Sequence, residues 1–268
     1  MKLNWYPGHI AKAKKTIKEN IKLVDIVLEV RDARIPESSM PEAIDDVTFN
    51  KAKIIVLNKK DLASENITLK WENYYKNLGY HVMGFSKDDK KDVEKLFGLI
   101  NNFSSKSKIL KLMIVGIPNV GKSTVLNQIS RKKTARTGAA PGITRGKQWY
   151  KFKNRIHLLD TPGILLPEYD DLEVGYKLAV CEAIDINYFQ LEEVAKWLFD
   201  NLKELLPEGL KERYKLEELP EFHFFLEEIG RKRGALAKGG EVDLEKASHV
   251  FIKDFNNGKL GKVSLEKV

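Results

Sequence analysis

Residues 108–124 read KILKLMIVGIPNVGKST. The first part of this stretch is an apolar run, which predicts a buried β-strand that stops at Gly116. The chain then turns through Gly121 and enters a helical pattern that begins near Lys122. Two glycines separated by four residues and followed by Lys-Ser match the P-loop pattern, in which backbone N–H groups and a helix N-terminus surround a phosphate chain. An ordinary glycine turn is the alternative, but strand, loop and helix occur in the order that a P-loop requires.

The P-loop residues have expected roles. We expect Lys122 to reach the β- and γ-phosphates and to act in catalysis, and the Ser123 hydroxyl to ligate Mg²⁺. The other predicted nucleotide-binding residues of this stretch are Gly116, Asn119, Val120, Gly121 and Thr124.

A second motif precedes the P-loop. Asn58, Lys59, Lys60 and Asp61 follow an apolar strand predicted at residues 54–57, and they match the guanine-reading pattern Asn-Lys-x-Asp. A carboxylate at Asp61 can accept hydrogen bonds from N1–H and the 2-amino group of guanine. Adenine lacks this pair of donors, so ATP would leave a buried carboxylate unsatisfied and would be rejected. The Lys59 stem can cover the base plane, and a surface turn is the alternative explanation for so short a pattern.

Two further motifs follow the P-loop helix. Residues 138–145 form a Gly- and Pro-containing loop, where a switch segment would supply a threonine to Mg²⁺ and the γ-phosphate. Thr144 is the predicted switch threonine, also assigned to catalysis, with Thr134 and Thr137 as competitors. After the next apolar strand, Asp160 is expected to hold a Mg²⁺-bound water and the Gly163 N–H to contact the γ-phosphate.

Strands alternate with helices through the first part of the chain, which predicts a doubly wound, mainly parallel α/β sheet. In such sheets ligands bind at the carboxyl ends of the strands, where both motifs lie. Strands 148–152 and 156–159 are predicted to form a hairpin. Beyond Gly163 the pattern is helical only. We therefore predict a nucleotide-binding domain at residues 1–175, including an N-terminal basic helix, and a small all-α domain at residues 176–268.

The helices are expected at residues 10–22, 41–49, 69–78, 92–103, 124–130, 175–184, 190–206, 208–214 and 220–233, with a last one between Asp243 and Gly258.

Composition narrows the class of protein. The chain has 268 residues, 43% of them hydrophobic, which suffices for a packed core. Its single cysteine, Cys181, excludes an internal disulfide framework. We find neither a signal peptide nor an apolar run that could span a membrane, so we expect a cytoplasmic protein without membrane insertion.

The distribution of charge suggests a polyanionic partner. The net charge is +8, yet residues 179–268 contain 14 basic and 18 acidic side chains, so the basic excess lies before them. Residues 124–159 contain no acid and nine basic residues. Lysines 12, 15, 18 and 22 fall on one face of the first helix, which predicts either RNA phosphate contacts or an ordinary solvated face. A further cluster at residues 231–233 is either an RNA contact or a basic helix C-terminus that balances the helix dipole.

The order of the motifs is unusual, because the guanine-reading motif comes before the P-loop. This order, together with Trp5-Tyr6-Pro7-Gly8-His9 and Asp32-Ala33-Arg34, resembles the circularly permuted GTPases of the YlqF/RbgA type, bacterial factors in large ribosomal subunit assembly. The resemblance covers nearly the whole chain. It implies that the chain binds GTP and GDP, that its helical domain binds RNA, and that the large ribosomal subunit and its rRNA are partners. It also implies that precursor particles stimulate a GTPase that is slow alone.

The resemblance also implies roles for single residues. Asn119 matches a P-loop asparagine that helps to bind K⁺, and His9 matches a histidine suspected of positioning the attacking water. Ser86 and Lys87 occupy a base-contacting motif that usually reads Ser-Ala-Lys, so their contacts are open. Ile164 stands where Ras-like enzymes carry glutamine, and an alkyl side chain cannot orient water. Slow intrinsic hydrolysis is therefore expected.

Two other classes of function remain open. The first is an RNA-binding chaperone with a structural nucleotide site, which the presence of Lys122, Ser123, Thr144 and Asp160 opposes. The second is an ATP-dependent kinase or ATPase, which Asp61 opposes.

Overall fold

The computed structural model describes residues 7–41, 45–48, 50–103, 109–130, 148–152, 156–160 and 171–268. The elements in chain order are α1 (Pro7–Asn20), β1 (Ile26–Asp32), α2 (Asp45–Thr48), β2 (Ala52–Asn58), α3 (Glu65–Asn77), β3 (His81–Phe85), α4 (Lys90–Asn101), β4 (Leu110–Val115), α5 (Lys122–Ser130), β5 (Gln148–Phe152), β6 (Ile156–Asp160), α6 (Leu172–Val180), α7 (Leu191–Leu205), α8 (Pro207–Tyr214), α9 (Phe222–Arg233) and α10 (Leu244–Asn256). The described residues also contain short 3₁₀ turns at Ile21–Leu23 and Ile186–Tyr188.

The six strands form one sheet in the order β3-β2-β1-β4-β6-β5, which confirms the predicted mainly parallel α/β fold. Only β5 runs antiparallel, and it pairs with β6 as the predicted hairpin. β4 lies between β1 and β6 and is parallel to both. The carboxyl ends of β1, β2, β4 and β6 therefore share one edge of the sheet, so the loops that follow them can line one site.

The two faces of the sheet are covered by different helices. On one face, Ile17 and Ile21 pack with Val27 of β1 and with Met113 and Val115 of β4. Ile26, Leu28 and Val30 of β1 alternate to the opposite face, where their core cluster includes apolar side chains of α4 and α5. Cover on both faces explains why β2 and β4 contain continuous apolar runs, at residues 54–57 and 112–115, rather than alternating patterns.

The helical half of the chain, α6 to α10, packs against the face of the sheet that α4 and α5 cover. Buried side chains of α6 to α10 belong to the same hydrophobic cluster as the sheet residues that face α4 and α5. Tyr214, Phe225 and Phe251 form an edge-to-face aromatic group at its centre. The hydrophobic core is therefore continuous across residue 175, and the division of the chain into two separate domains stays a prediction.

None of the helices in the described ranges combines the length and the hydrophobicity that a membrane span requires.

The largest differences from the expected helix bounds occur in three helices. α3 begins at Glu65 rather than at residue 69, because Ser64 takes the N-cap position with an extended backbone and Glu65 is in the first turn. α6 ends at Val180 rather than at residue 184, since Glu182 adopts a left-handed conformation with φ 62°. The helix expected over residues 41–49 is present only as Asp45–Thr48, with residues 42–44 and 49 outside the described ranges.

Asp254 of α10 should make the folded state sensitive to acid. Burial would raise the pKa of Asp254, but hydrogen bonds from Arg213 (2.8 Å) and Lys259 (3.0 Å) outweigh burial and hold that pKa below its usual value. The stabilisation is therefore complete above the unfolded pKa and is lost as pH falls through the folded pKa. Asp254→Asn should cost about 1.5–3 kcal/mol at pH 7 and should reduce the loss of melting temperature between pH 5 and pH 3, as measured by thermal unfolding.

The matched control is Asp200→Asn, because Asp200 pairs with Lys196 on the surface of α7 and is 54% exposed. That variant should unfold like the wild type at each pH. Equal effects of the two substitutions would contradict a special role for Asp254.

Candidate nucleotide-binding site

The two sequence motifs meet at the carboxyl edge of the sheet. Asn58 ends β2, is 3% exposed, and donates from Nδ2 to the carbonyl oxygen of Val120 at 2.7 Å. The guanine-reading loop and the P-loop are thus joined by a direct hydrogen bond, although 62 residues separate them along the chain. A single ligand can therefore contact both loops.

The P-loop glycines are required by their neighbours. Gly116 has φ 150°, and a Cβ there would lie 2.4 Å from the carbonyl oxygen of Val30. Gly121 has φ 92°, and its Cβ would lie 2.1 Å from Nδ2 of Asn58. Both positions combine a left-handed backbone with a close approach, which only glycine tolerates. The spacing of the glycines thus follows from the packing of the P-loop against β1 and against Asn58.

The end of the P-loop offers an anion site. α5 begins at Lys122 and has no acidic residue in its first turn, so its N-terminal N–H groups carry an uncompensated positive end. Lys122 donates from Nζ to the carbonyl oxygen of Ile117 at 2.6 Å. Its ammonium therefore lies against the P-loop backbone, and a phosphate chain surrounded by this loop would lie close to it. Ser123 and Thr124 follow in the first turn and are partly buried.

Asn119 connects the P-loop with the helical half of the chain. Its backbone has φ 57°, and its Nδ2 donates to the carbonyl oxygen of Glu182 at 2.7 Å. Glu182 lies in the turn after α6 and is itself in a left-handed conformation with φ 62°. The side-chain oxygen of Asn119 is the atom that could ligate K⁺, and the hydrogen bond from Nδ2 to Glu182 fixes the orientation of that amide.

Lys59 is held by an acid that the motifs alone do not assign to the site. Its Nζ lies 2.9 Å from Oδ2 of Asp32, the last residue of β1, and the same carboxylate is paired with Arg34 at 2.8 Å. Burial would raise the pKa of Asp32, but Arg34 and Lys59 outweigh it and hold that pKa well below its usual value. The pairing of β1 with β2 places Asp32 opposite Asn58. A predicted register for these two strands is the signal that could have identified Asp32 as a residue of the site.

Lys60, the variable position of the guanine-reading motif, orders the loop after β3. Its Nζ lies 2.6 Å from Oδ1 of Asp92, and Oδ2 of the same carboxylate accepts the backbone N–H of Ser86 at 2.8 Å. Burial would lower the pKa of Lys60, but the hydrogen bond and charge of Asp92 outweigh it and raise that pKa. Asp92 therefore positions Ser86 next to the guanine-reading loop. Sequence reasoning missed Asp92, because its effect depends on a contact between α4 and a distant loop.

The remaining base-site residues lie close by. Asp61 is partly exposed, and its carboxylate accepts no hydrogen bond from the residues that the structure describes. That carboxylate is therefore available to hydrogen-bond donors of a ligand. Ser86 is buried, whereas Lys87 is exposed and its carbonyl oxygen accepts a hydrogen bond from Nε2 of Gln128 at 2.9 Å.

The predicted Mg²⁺ ligands can be followed only in part. Asp160 ends β6 and pairs in register with Ile114 of β4, so its backbone lies at the same edge as the P-loop. Hydroxyl and carboxylate oxygens, as in Ser123 and Asp160, are the ligand type that Mg²⁺ prefers, so these residues fit that ion. Thr144, its competitors Thr134 and Thr137, and Gly163 lie outside the described residues, as does the side chain of His9 in α1.

Comparisons with known proteins find related GTPases, and the relatives named below cover nearly the whole chain. A family model described as "50S ribosome-binding GTPase" matches residues 111–217. The chain is 40% identical to Ribosome biogenesis GTPase A of Priestia megaterium, covering 99% of this chain and 97% of that relative. It is 36% identical to Ribosome biogenesis GTPase A of Thermotoga maritima, covering 99% and 94%. The solved structure of GNP-bound YlqF from T. maritima has a TM-score of 0.74 at 31% identity and covers 96% of this chain and 98% of its own.

The contact of Gly121 with Asn58 can be tested by Gly121→Ala. The added Cβ would meet the Asn58 amide and would strain a left-handed backbone, so the hydrogen bond to Val120 should be lost. We expect the dissociation constant for GDP to rise about tenfold or more, as measured by titration calorimetry.

The control is Gly98→Ala in α4, where a Cβ has no neighbour within 4 Å. That substitution should stabilise the helix slightly and leave GDP binding unchanged. Normal GDP affinity in Gly121→Ala would show that the joined loops do not form the binding site.

Proposed function

The chain belongs to the ribosome biogenesis GTPase A family, and we propose that it binds GTP and hydrolyses it to GDP and phosphate as a factor in assembly of the large ribosomal subunit. The observation that carries this proposal is the hydrogen bond between Asn58 and Val120. It brings a loop suited to guanine and a loop suited to phosphates to one edge of the sheet.

The two ends of the site would divide the work of binding. Asp61 would accept hydrogen bonds from N1–H and the 2-amino group of guanine, and the Lys59 stem would cover the base. Lys122 would exchange its contact with the Ile117 carbonyl for the β- and γ-phosphates, which are stronger acceptors. Gly116, Val120, Gly121 and Thr124 would surround the phosphates with the P-loop backbone and the start of α5.

Ser123 and Asp160 would hold Mg²⁺ together with Thr144, and the ion would supply positive charge to the phosphate oxygens. We further propose that the side-chain oxygen of Asn119 contributes to a K⁺ site, because the hydrogen bond from Nδ2 to Glu182 holds the amide in one orientation and leaves the oxygen to act as a ligand. The Gly163 N–H would contact the γ-phosphate.

Positioning of the attacking water is proposed for His9 or for the ribosomal partner. Ile164 occupies the position after Gly163, and its alkyl side chain has no hydrogen-bonding group that could orient water. His9 lies in the first turn of α1, which packs on the sheet through Ile17, and the 3₁₀ turn that follows packs there through Ile21. Hydrolysis by the isolated chain should accordingly be slow.

Contact with rRNA is proposed for basic side chains before the helical half. Lys15, Lys18 and Lys22 of the first helical segment are exposed on the side opposite its buried isoleucines, so they can reach phosphates without unpacking the core. The basic residues between positions 131 and 147 are proposed to contribute as well, but they lie outside the described residues.

The basic cluster at the end of α9 is better explained by packing. Arg231 pairs with Glu227 at 2.6 Å, Lys232 donates to the carbonyl oxygen of Tyr214 at 2.9 Å, and Arg233 donates to that of Arg213 at 3.2 Å. These contacts support the helix-terminus alternative, because all three cations already have protein partners.

We also propose that residues 176–268 act as an RNA-binding unit whose orientation follows the nucleotide state, with RNA contacts outside the cluster at residues 231–233. The protein is proposed to act in the cytoplasm, where ribosomes assemble. The contact from Asn119 to Glu182 supports the coupling, since a change in P-loop conformation would reach the turn after α6 directly.

The enzyme function is tested by phosphate release from GTP with and without large-subunit precursor particles, in potassium and in sodium buffer. Particles should raise the rate about tenfold or more, and potassium should be needed for the full effect. Lys122→Ala should lower the stimulated rate by about 10²-fold or more, because it removes a charge that contacts the transferred phosphate. Lys196→Ala on the surface of α7 is the control and should behave as the wild type.

Particle binding without phosphate release, unaffected by Lys122→Ala, would contradict the enzyme assignment. It would favour an RNA-binding chaperone with a structural nucleotide site.

Guanine recognition is tested separately by Asp61→Asn. The substitution leaves one acceptor oxygen for the two guanine donors and introduces an amide donor that suits the 2-oxo group of xanthine. The affinity for GTP should fall about 10²-fold or more while that for XTP rises, as measured by competition with a fluorescent guanine nucleotide. Wild-type protein that binds ATP as tightly as GTP would contradict this assignment.

A further inference from the structure

A buried cluster of Asp32, Arg34 and Lys59 lies beside the guanine-reading loop. Asp32 is the last residue of β1, and the parallel register places it opposite Asn58, the last residue of β2. Sheet geometry alone therefore puts the Asp32 carboxylate next to the residue that follows Asn58, which is Lys59.

The Asp32 carboxylate has more partners than a simple ion pair needs. Oδ1 accepts the backbone N–H of Arg34 and its Nε, both at 3.0 Å, and Oδ2 lies 2.8 Å from the Arg34 guanidinium. These bonds already satisfy a buried carboxylate. The additional partner is Nζ of Lys59 at 2.9 Å, which belongs to the guanine-reading loop and whose side chain is 24% exposed.

The backbone of Lys59 is fixed as well. It has φ 62°, an uncommon conformation for a residue with a side chain. The flanking groups hold it there, since the carbonyl oxygen of Asn58 accepts the N–H of Ala33 at 2.8 Å and the N–H of Lys60 donates to Phe85 at 3.2 Å. With the backbone and the ammonium both anchored, the methylene stem between them has little freedom.

Arg34 is a rigid support for this arrangement. It is 1% exposed, it donates to Oδ1 of Asn256 at 3.2 Å, and its guanidinium lies 5.1 Å from the centre of the Phe255 ring. The support therefore comes from α10, at the other end of the sequence. The strongly lowered pKa of Asp32 agrees with a carboxylate that stays charged between these two cations.

We propose that Asp32 is a positioning residue for the guanine nucleotide, which anchors the Lys59 ammonium so that the stem forms a preformed platform for the base, with Arg34 holding Asp32 in place. The inference rests on the proposed function, in which the loop of residues 58–61 binds guanine. A lysine that is ordered before the ligand arrives loses no rotamer freedom on binding, and this favours affinity.

The test is a double-mutant cycle on GDP affinity, measured by titration calorimetry, with Asp32→Asn, Lys59→Met and the double variant. Asp32→Asn should raise the dissociation constant about three- to tenfold, and Lys59→Met should raise it at least as much. The double variant should bind GDP as Lys59→Met does, because Asp32 has no effect once the ammonium is gone. A residue with a merely structural role would instead add its loss to that of Lys59→Met.

Two further variants keep the test decisive. Asp32→Asn combined with Arg34→Gln leaves no unpaired buried charge from this pair, so it replaces Asp32→Asn if that single variant fails to fold, and it should show the same loss of affinity. Asp254→Asn is the matched control, since Asp254 is 2% exposed against 1% for Asp32, also pairs with an arginine, and lies in α10. Its dissociation constant for GDP should stay within about twofold of the wild type.

The outcomes separate the inference from the function on which it rests. Normal GDP affinity in Asp32→Asn together with a loss in Lys59→Met would overturn the inference alone. Additive losses in the double variant would overturn it too. Normal affinity in Lys59→Met would contradict the proposed guanine site itself.

Discussion

The hydrogen bond from the Asn58 side chain to the Val120 carbonyl oxygen is the contact on which the site depends. It spans the gap between the ends of β2 and β4, which are separated in the sheet by β1. Gly121 is needed because the Asn58 amide occupies the space that a Cβ would fill. One amide thus fixes the distance between the loop for the base and the loop for the phosphates.

The order of the strands also determines where the helical half connects to the sheet. Because β1, β2 and β3 precede the P-loop strand β4, β6 is the last strand in the chain, and the helical half follows it. The last residues then return to the base side, where the Val263 N–H donates to Leu62 at 3.0 Å and the Leu265 N–H to Arg34 at 2.9 Å. Glu266 accepts hydrogen bonds from the backbone N–H groups of Glu37 and Ser38. The helical half is therefore attached to the sheet at the base end through these bonds and at the P-loop through Asn119.

Sequence patterns predicted the parts of the fold that depend on local signals. Apolar runs located β2, β4 and β6, and Asp243 and Gly258 bracketed α10 as expected, since caps act within one turn. The start of α3 was missed because its first turn, residues 65–68, contains a single apolar residue, Ile67, which is too little to show the helical period. The base-reading and phosphate motifs were found because each is contiguous in sequence. Asp32 and Asp92 were not assigned to the site, because their contacts with Lys59 and Lys60 exist only after the strands pair and α4 packs.

The measurement that tests this account most directly is a crystal structure of the complex with GDP. The account predicts guanine beside the loop of residues 58–61, with the Asp61 carboxylate accepting from N1–H and the 2-amino group. It also predicts that Lys122 Nζ leaves the Ile117 carbonyl and contacts the β-phosphate at about 2.7–2.9 Å, with Asn58 still bonded to Val120. A complex in which the base lies away from Asp61, or in which the phosphates do not contact the P-loop, would contradict it.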